Sequence, residues 1–220
     1  MPTITRDGAI WTLNLGDDEN RFGPAWLDEV EKVLDDVEAA TEPVVLVTIG
    51  DGKFYSNGLD LEWVSGHMDQ FATYAERVQA LLARVLTLPV PTVAAVNGHA
   101  FGAGAMLALA HDFRVMRDDR GFFCFPEVDI RIPFTPGMSA LLMTKLTPQT
   151  AVKSMTTGHR YGGPEALQGG LVDATASLDD LHSAATELVR PLAGKDRGTL
   201  ATIKKTMFAE VVEALTRKIG

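Results

Sequence analysis

Two short glycine-bearing stretches are the places in this chain where the backbone itself could do chemistry. They are Phe54-Tyr55-Ser56-Asn57-Gly58-Leu59-Asp60 and Asn97-Gly98-His99-Ala100-Phe101-Gly102-Ala103-Gly104. Each lies downstream of an apolar run, Val44 to Ile49 and Thr92 to Val96, and the second opens into a helix-like Ala/Leu/Met segment. Backbone N–H groups at a helix start are unpaired and carry the positive end of the helix dipole. Small residues let a ligand oxygen come close to such a backbone. Two turns of this kind facing one point would make a two-donor oxyanion hole. On spacing alone, the plainer reading is that the glycines only permit tight chain reversal.

Other chemistries find no support. Gly-Lys-Ser/Thr is missing, so there is no phosphate loop, and Gly98, Gly102 and Gly104 have the wrong order for a dinucleotide fingerprint. No Gly-x-Ser-x-Gly elbow occurs. The histidines, His67, His99, His111, His159 and His182, are never three to five residues apart, so no helical metal pair exists and no metal is expected. Cys124, among phenylalanines, reads as a buried inert thiol.

The elements that would hold the two turns follow from periodicity. Ala9 to Leu15 alternates after an Arg6-Asp7-Gly8 turn, which predicts an N-terminal hairpin. Pro24 suits a first helical position, and Trp26, Leu27, Val30, Val33, Leu34 and Val37 recur at helical spacing. Val44 to Ile49 and Thr92 to Val96 read as strands covered on both faces, as parallel strands are. Phe71 to Val85 predicts a second amphipathic helix, Gly102 to Ala110 a short buried one, and Phe113 to Met116 a third strand. This βαβ order predicts an α/β protein with a mainly parallel sheet. Leu178 to Leu192 and Thr199 to Ile219 supply amphipathic helical segments at the C-terminal end.

The chain has 220 residues, 46% hydrophobic and 22% charged, enough to bury one core without a staple. Its net charge of −9 and the lack of a basic cluster with interleaved aromatics argue against nucleic acid as a partner. No apolar run approaches a membrane span: Ala94 to Ala110 is broken by Asn97, His99 and three glycines. A single cysteine and an N-terminus without an apolar signal core predict a cytoplasmic protein.

The two turns together resemble the paired signatures of the crotonase, or enoyl-CoA hydratase/isomerase, superfamily. Tyr55 to Asp60 resembles its F-S-A-G-x-D stretch, and Asn97 to Gly104 its N-G-x-A-x-G-G-G stretch, with Ala103 in the middle glycine position. The resemblance covers roughly Ile10 to Asp173 and implies a ββα spiral. A core of residues 1–175 would carry an acyl-CoA site, and residues 176–220 a C-terminal helical trimerisation region. It implies an acyl-CoA thioester as partner, a homotrimer or hexamer, and no cofactor, since coenzyme A is part of the substrate. The backbone N–H groups of Asn57 and Ala103 would hold the thioester oxygen. Ser56, Gly58, Asp60, Gly102 and Gly104 would shape the substrate site, with Lys53, Lys204 or Lys205 near the CoA phosphates. Phe54, Trp63 and Phe134 are candidates for the acyl wall.

Hydratases of the family carry one glutamate two residues after the last glycine of the second turn and another in a P-E-x-x-x-G segment. Here the first position is Met106, and the second is Glu127 in Pro126-Glu127-Val128-Asp129-Ile130, with Arg131 in place of the glycine. Water addition is served well by two carboxylates, whereas a 1,3-proton shift needs one base. Dienoyl-CoA isomerases would place acids at Met106 and Thr135, so that activity is disfavoured. The pattern is most similar to single-glutamate Δ3,Δ2-enoyl-CoA isomerases of plant peroxisomal type, with Glu127 as base. The alternatives are a hydratase recruiting Asp129, Glu62 or a water in place of the missing acid, a thioesterase or decarboxylase using the same oxyanion hole, and a non-catalytic acyl-CoA-binding or purely structural subunit. Asp129, two residues from Glu127, shares its face if the segment is extended.

Overall fold

The computed structural model of the chain describes residues 1–219. The expected N-terminal hairpin pairs β1 (Thr3–Asp7) with β2 (Ile10–Asn14), Asp7 opposite Ile10. Gly8 turns it at φ +55. Pro24 opens α1 (Pro24–Ala39), which buries the six residues that the spacing picked out. This helix is the crossover that lets β3 (Val45–Ile49) lie parallel to β2. Arg77 and Arg84 later pair with carboxylates on α1, fastening the second amphipathic helix to it.

From β3 onward the chain repeats one figure three times: a strand of a large sheet, a very short strand of a second sheet, then helix. β3 is followed by β4 (Phe54–Ser56), α2 (Leu61–Gly66) and α3 (Phe71–Leu86). β5 (Thr92–Val96) is followed by β6 (His99–Phe101) and α4 (Ala103–Ala110). β7 (Phe113–Arg117) is followed by β8 (Phe123–Cys124), α5 (Glu127–Ile130) and α6 (Pro136–Lys145). α7 (Pro148–Thr157) and α8 (Gly163–Gln168) then lead to β9 (Ala174–Ala176). The large sheet has the order β1-β2-β3-β5-β7-β9 and the small one β4-β6-β8. Within the two sheets every strand pairing except the hairpin is parallel, and Phe123 of β8 adds a single antiparallel bridge to Tyr161. This is the ββα spiral, with the mainly parallel sheet that the βαβ order implies.

A buried polar chain locks the two sheets together. His111 Nδ1 donates to the Leu107 carbonyl at 2.8 Å. Its Nε2 therefore accepts from the Thr48 hydroxyl at 3.0 Å, and Thr48 Oγ1 accepts from the Tyr55 hydroxyl at 2.7 Å. Burial keeps His111 neutral, pushing its imidazole down to about 4.

The C-terminal segments become α9 (Leu178–Val189), α10 (Arg197–Met207) and α11 (Ala209–Thr216). The Thr199 to Ile219 segment is thus two helices parted at Phe208, whose ring is buried. Leu181, Ala185 and Val189 of α9 pack on Val45, Val93 and Val115 of the large sheet. Leu215 of α11 lies so close to Gly137 in α6 that a side chain there would meet its Cα at 2.6 Å.

Candidate active site

The two glycine turns lie back to back because each lacks the side chain that would hold them apart. A Cβ on Gly58 would come within 2.9 Å of Ala103 N and 2.7 Å of the Phe101 carbonyl, and Gly58 takes φ +78. A Cβ on Gly104 would strike Ser56 O at 2.4 Å. Asn97 fastens the pair: its side chain accepts from Gly50 N at 2.9 Å and donates to Phe54 O at 3.2 Å. Gly102, at φ +52, turns the chain into α4, so Ala103 sits in the first helical position with an unpaired N–H. Ala103 keeps an ordinary negative φ, so alanine is at ease where the family pattern has glycine.

The donors of the first turn differ from the sequence expectation. Asn57 N–H donates to the Glu19 carbonyl at 2.8 Å, and its side-chain amide donates to the Glu19 carboxylate at 3.1 Å. Gly58 N–H is held by Ser56 Oγ, and Asp60 N–H by the Tyr74 hydroxyl. Among the described residues Leu59 N–H alone in Asn57 to Asp60 has no acceptor, and Leu59 lines the cavity beside Ala103. The unengaged donor pair is Leu59 with Ala103, not Asn57 with Ala103. The correction depends on Glu19, a loop residue whose place beside Asn57 no local spacing reveals.

Glu127 opens the four-residue helix α5 and lines the same cavity, which measures about 320 Å³. It is 7% exposed, and Oε1 lies 3.5 Å from the point a Cβ on Gly102 would occupy. Oε2 has no hydrogen-bond partner among the described residues. Burial pushes the carboxyl up to about 7, against a smaller opposing effect of its own backbone N–H. Glu127 is the one carboxylate lining the cavity among the described residues. Met106, in the position of a second acid, is fully buried and lends a thioether to the wall.

Asp129 does not join it. The segment is helical rather than extended, so a two-residue step turns the side chain to the other side, toward Gly158, where it is exposed. Glu62 is exposed on α2, outside the cavity wall. Thr135 caps α6, accepting from Met138 N.

Several expected substrate contacts have structural roles instead. Ser56 is wholly buried, donating to Asn20 O at 2.7 Å. Asp60 caps α2 by accepting from Trp63 N at 3.1 Å, and Trp63 stacks on His67. Lys53 is exposed with its ammonium over the Phe54 ring. Phe54 and Phe134 do not line the cavity; Phe134 lines a neighbouring one of about 460 Å³ that Glu127 also borders. Lys204 is buried in an ion pair with Asp112, and Lys205 is exposed, both away from the cavity wall. The cations that do line it are Arg21 and Arg160, which sequence reasoning missed. Neither stands in a chemistry-bearing motif, and only the fold brings them to the cavity.

The arrangement can therefore stabilise a developing oxyanion with two fixed N–H donors while a single desolvated carboxylate moves a proton beside it. The sequence pattern of the enoyl-CoA hydratase/isomerase family matches residues 6–220. That match extends through the C-terminal helices, beyond the Ile10 to Asp173 span. The chain is 37% identical to enoyl-CoA delta isomerase 3 of Arabidopsis thaliana, covering 96% of this chain and 93% of that one. It is 34% identical, with the same coverage, to enoyl-CoA delta isomerase 2, peroxisomal, of the same plant. An apo enoyl-CoA isomerase structure from Mycobacterium tuberculosis superposes with a TM-score of 0.90 at 25% identity, covering 97% of this chain and 93% of that one.

Proposed function

The chain belongs to the enoyl-CoA hydratase/isomerase family, and from that premise we propose that it is a Δ3,Δ2-enoyl-CoA isomerase of fatty-acid β-oxidation. The thioester oxygen of a 3-enoyl-CoA sits on the N–H groups of Leu59 and Ala103. Glu127 takes a proton from C2, the negative charge moves onto the thioester oxygen, and the two donors stabilise it where it develops. The same carboxyl then returns the proton at C4, leaving the double bond conjugated between C2 and C3. Only one group changes protonation state, and it ends the cycle as it began.

One observation carries this reading. A lone carboxylate with its affinity for protons raised by burial faces the α4 N-terminus, and the neighbouring second-acid position is a thioether. A carboxyl poised near neutrality both accepts and returns a proton at modest cost. Hydration requires a second group to orient and deprotonate water. Neither Asp129 nor Glu62 lines the cavity, so of the replacements for that second group only a water is left to the hydratase reading.

The cations available to the CoA phosphates are Arg21 and Arg160. The reaction as written needs no cofactor, coenzyme A being part of the substrate. Assembly as a homotrimer or hexamer is supported by the family membership and by the exposed Met143, Val152, Leu178 and Leu188. A cytoplasmic-type reducing location is supported by the single, unpaired Cys124. No helix among the described residues is long and apolar enough to cross a membrane.

The test is Glu127→Gln assayed on a 3-enoyl-CoA. Loss of about 10²–10⁴ in kcat with KM little changed is the expected result. Undiminished kcat would remove Glu127 as the base and the proposal with it.

A further inference from the structure

The segment between β2 and α1 runs along the first glycine turn and is bonded to it residue by residue. The Glu19 carbonyl accepts from Asn57 N–H, and Phe22 N–H donates to the Gly58 carbonyl, both at 2.8 Å. The Ser56 hydroxyl donates to the Asn20 carbonyl at 2.7 Å. Asn20 Nδ2 lies within hydrogen-bond reach of the carbonyls of Gly16, Phe54 and Tyr55, at 3.2, 3.3 and 3.0 Å. All three are acceptors, which fixes the orientation of the amide.

The Phe54 carbonyl is where this clamp meets the second turn, because it also accepts from Asn97 Nδ2 at 3.2 Å. Asn20 and Asn97 are each 1% exposed. Gly50 makes the meeting possible: a Cβ there would stand 2.5 Å from the Phe54 carbonyl and 3.0 Å from Asn20 Nδ2. Asn20 itself takes φ +50, a conformation shared among the described non-glycine residues only with Arg131. Asparagine tolerates that backbone better than most side chains do.

The bond from Phe22 bears on the oxyanion hole through peptide geometry. The Gly58 carbonyl and the Leu59 N–H belong to one planar trans peptide, so they point in opposite directions. Holding the carbonyl on Phe22 N–H therefore aims the Leu59 N–H away from residues 19–22, and Leu59 lines the cavity beside Ala103. Gly58, at φ +78 and without a side chain, does little by itself to fix that plane. We propose that Asn20 is a positioning residue of the oxyanion hole. Its amide clamps residues 19–22 to the first turn, so that Phe22 N–H holds the peptide plane presenting the Leu59 N–H. This rests on the reading that Leu59 and Ala103 receive the thioester oxygen.

The test is Asn20→Gly, which removes the amide and keeps the left-handed backbone free of strain. With a 3-enoyl-CoA, kcat should fall about 10–10²-fold at little changed KM, a part of what losing an oxyanion donor costs. A saturated acyl-CoA isotopically labelled at its thioester carbonyl reports on the hole without turnover, by difference infrared spectroscopy on the folded proteins. In the parent the carbonyl band should lie below its frequency in water, and in Asn20→Gly it should move back toward that frequency. Ser56→Ala removes one hydroxyl link of the clamp and should act in the same direction, with kcat lowered about 2–10-fold. It carries the test if Asn20→Gly does not fold. A lower urea midpoint with the band and kcat of the folded variant unchanged would overturn the proposal, making the clamp a matter of stability alone. A parent band at its aqueous position would instead overturn the Leu59–Ala103 hole itself, and the proposal with it.

Discussion

Glu127 is expected to make the folded protein less stable as it ionises, and Glu127→Gln isolates that effect. Its carboxyl titrates at about 7 in the folded chain against an ordinary 4.5, because burial disfavours the charged form. The folded state therefore holds the proton more tightly than the unfolded state. The stabilising contribution is fully present below about pH 4.5 and is lost as pH rises through about 7. At ~1.4 kcal/mol per pH unit between the two values, the loss amounts to about 3 kcal/mol. In a chain of this size that is roughly 6–12 °C in Tm. Glutamine has nearly the same shape and does not ionise. It leaves an amide without a partner where Oε2 now sits, a cost that does not vary with pH. The informative quantity is thus the difference in slope between the two proteins, which also cancels the general effect of a net charge of −9. Urea unfolding of both at pH 5 and pH 9 measures it. The variant should gain about 3 kcal/mol on the parent between those pH values. Parallel profiles would refute the reasoning, since they would mean that Glu127 is not desolvated in the folded protein.

The same ionisation sets the rate: kcat/KM for a 3-enoyl-CoA should rise with pH through about 7 to a plateau, and a profile flat from pH 5.5 to 8.5 would contradict a base with this affinity. Gly58→Ala would put a methyl 2.9 Å from Ala103 N at φ +78; kcat should fall about 10²–10³-fold as the donor pair is prised apart, with about 1–3 kcal/mol lost in unfolding experiments. Met106→Glu places a carboxylate in the cavity wall. It should introduce measurable water addition to a 2-enoyl-CoA while lowering stability by about 1–3 kcal/mol. Arg131 holds the left-handed conformation at φ +60, so Arg131→Gly should be stabilising by about 0.5 kcal/mol, readable as a small rise in urea midpoint.

Where a residue pattern was long enough to show its period, it named the element. The six apolar positions of α1 are buried, and Val45 to Ile49 lies inside the large sheet as a β-branched run should. The small sheet was illegible because strands of two or three residues cannot display alternation, and its residues overlap the glycine turns themselves. Asp129 shows the same limit: a helix of four residues beside Pro126 looks extended in sequence, and the error moves a carboxylate to the opposite face. The chemical type of the site was legible in Glu127, Met106 and the paired turns. Its donors were not fully so, because Asn57 is engaged by Glu19 across 38 residues, a contact set by how the Asp17 to Arg21 loop lies against β4. Arg21 and Arg160 were hidden for a related reason. A cation's usefulness depends on what it faces, and that is fixed only when α5 and the glycine turns close one cavity around it.

The central claim is that one carboxylate moves a proton without adding water. The purified protein should be incubated separately with a 3-enoyl-CoA and a 2-enoyl-CoA, following conjugation by absorbance and water addition by mass. Conjugation of the 3-enoyl thioester at unchanged mass, with the 2-enoyl thioester left unhydrated, is the predicted result. Efficient gain of water by the 2-enoyl-CoA would contradict it and would require a second acid beside Met106.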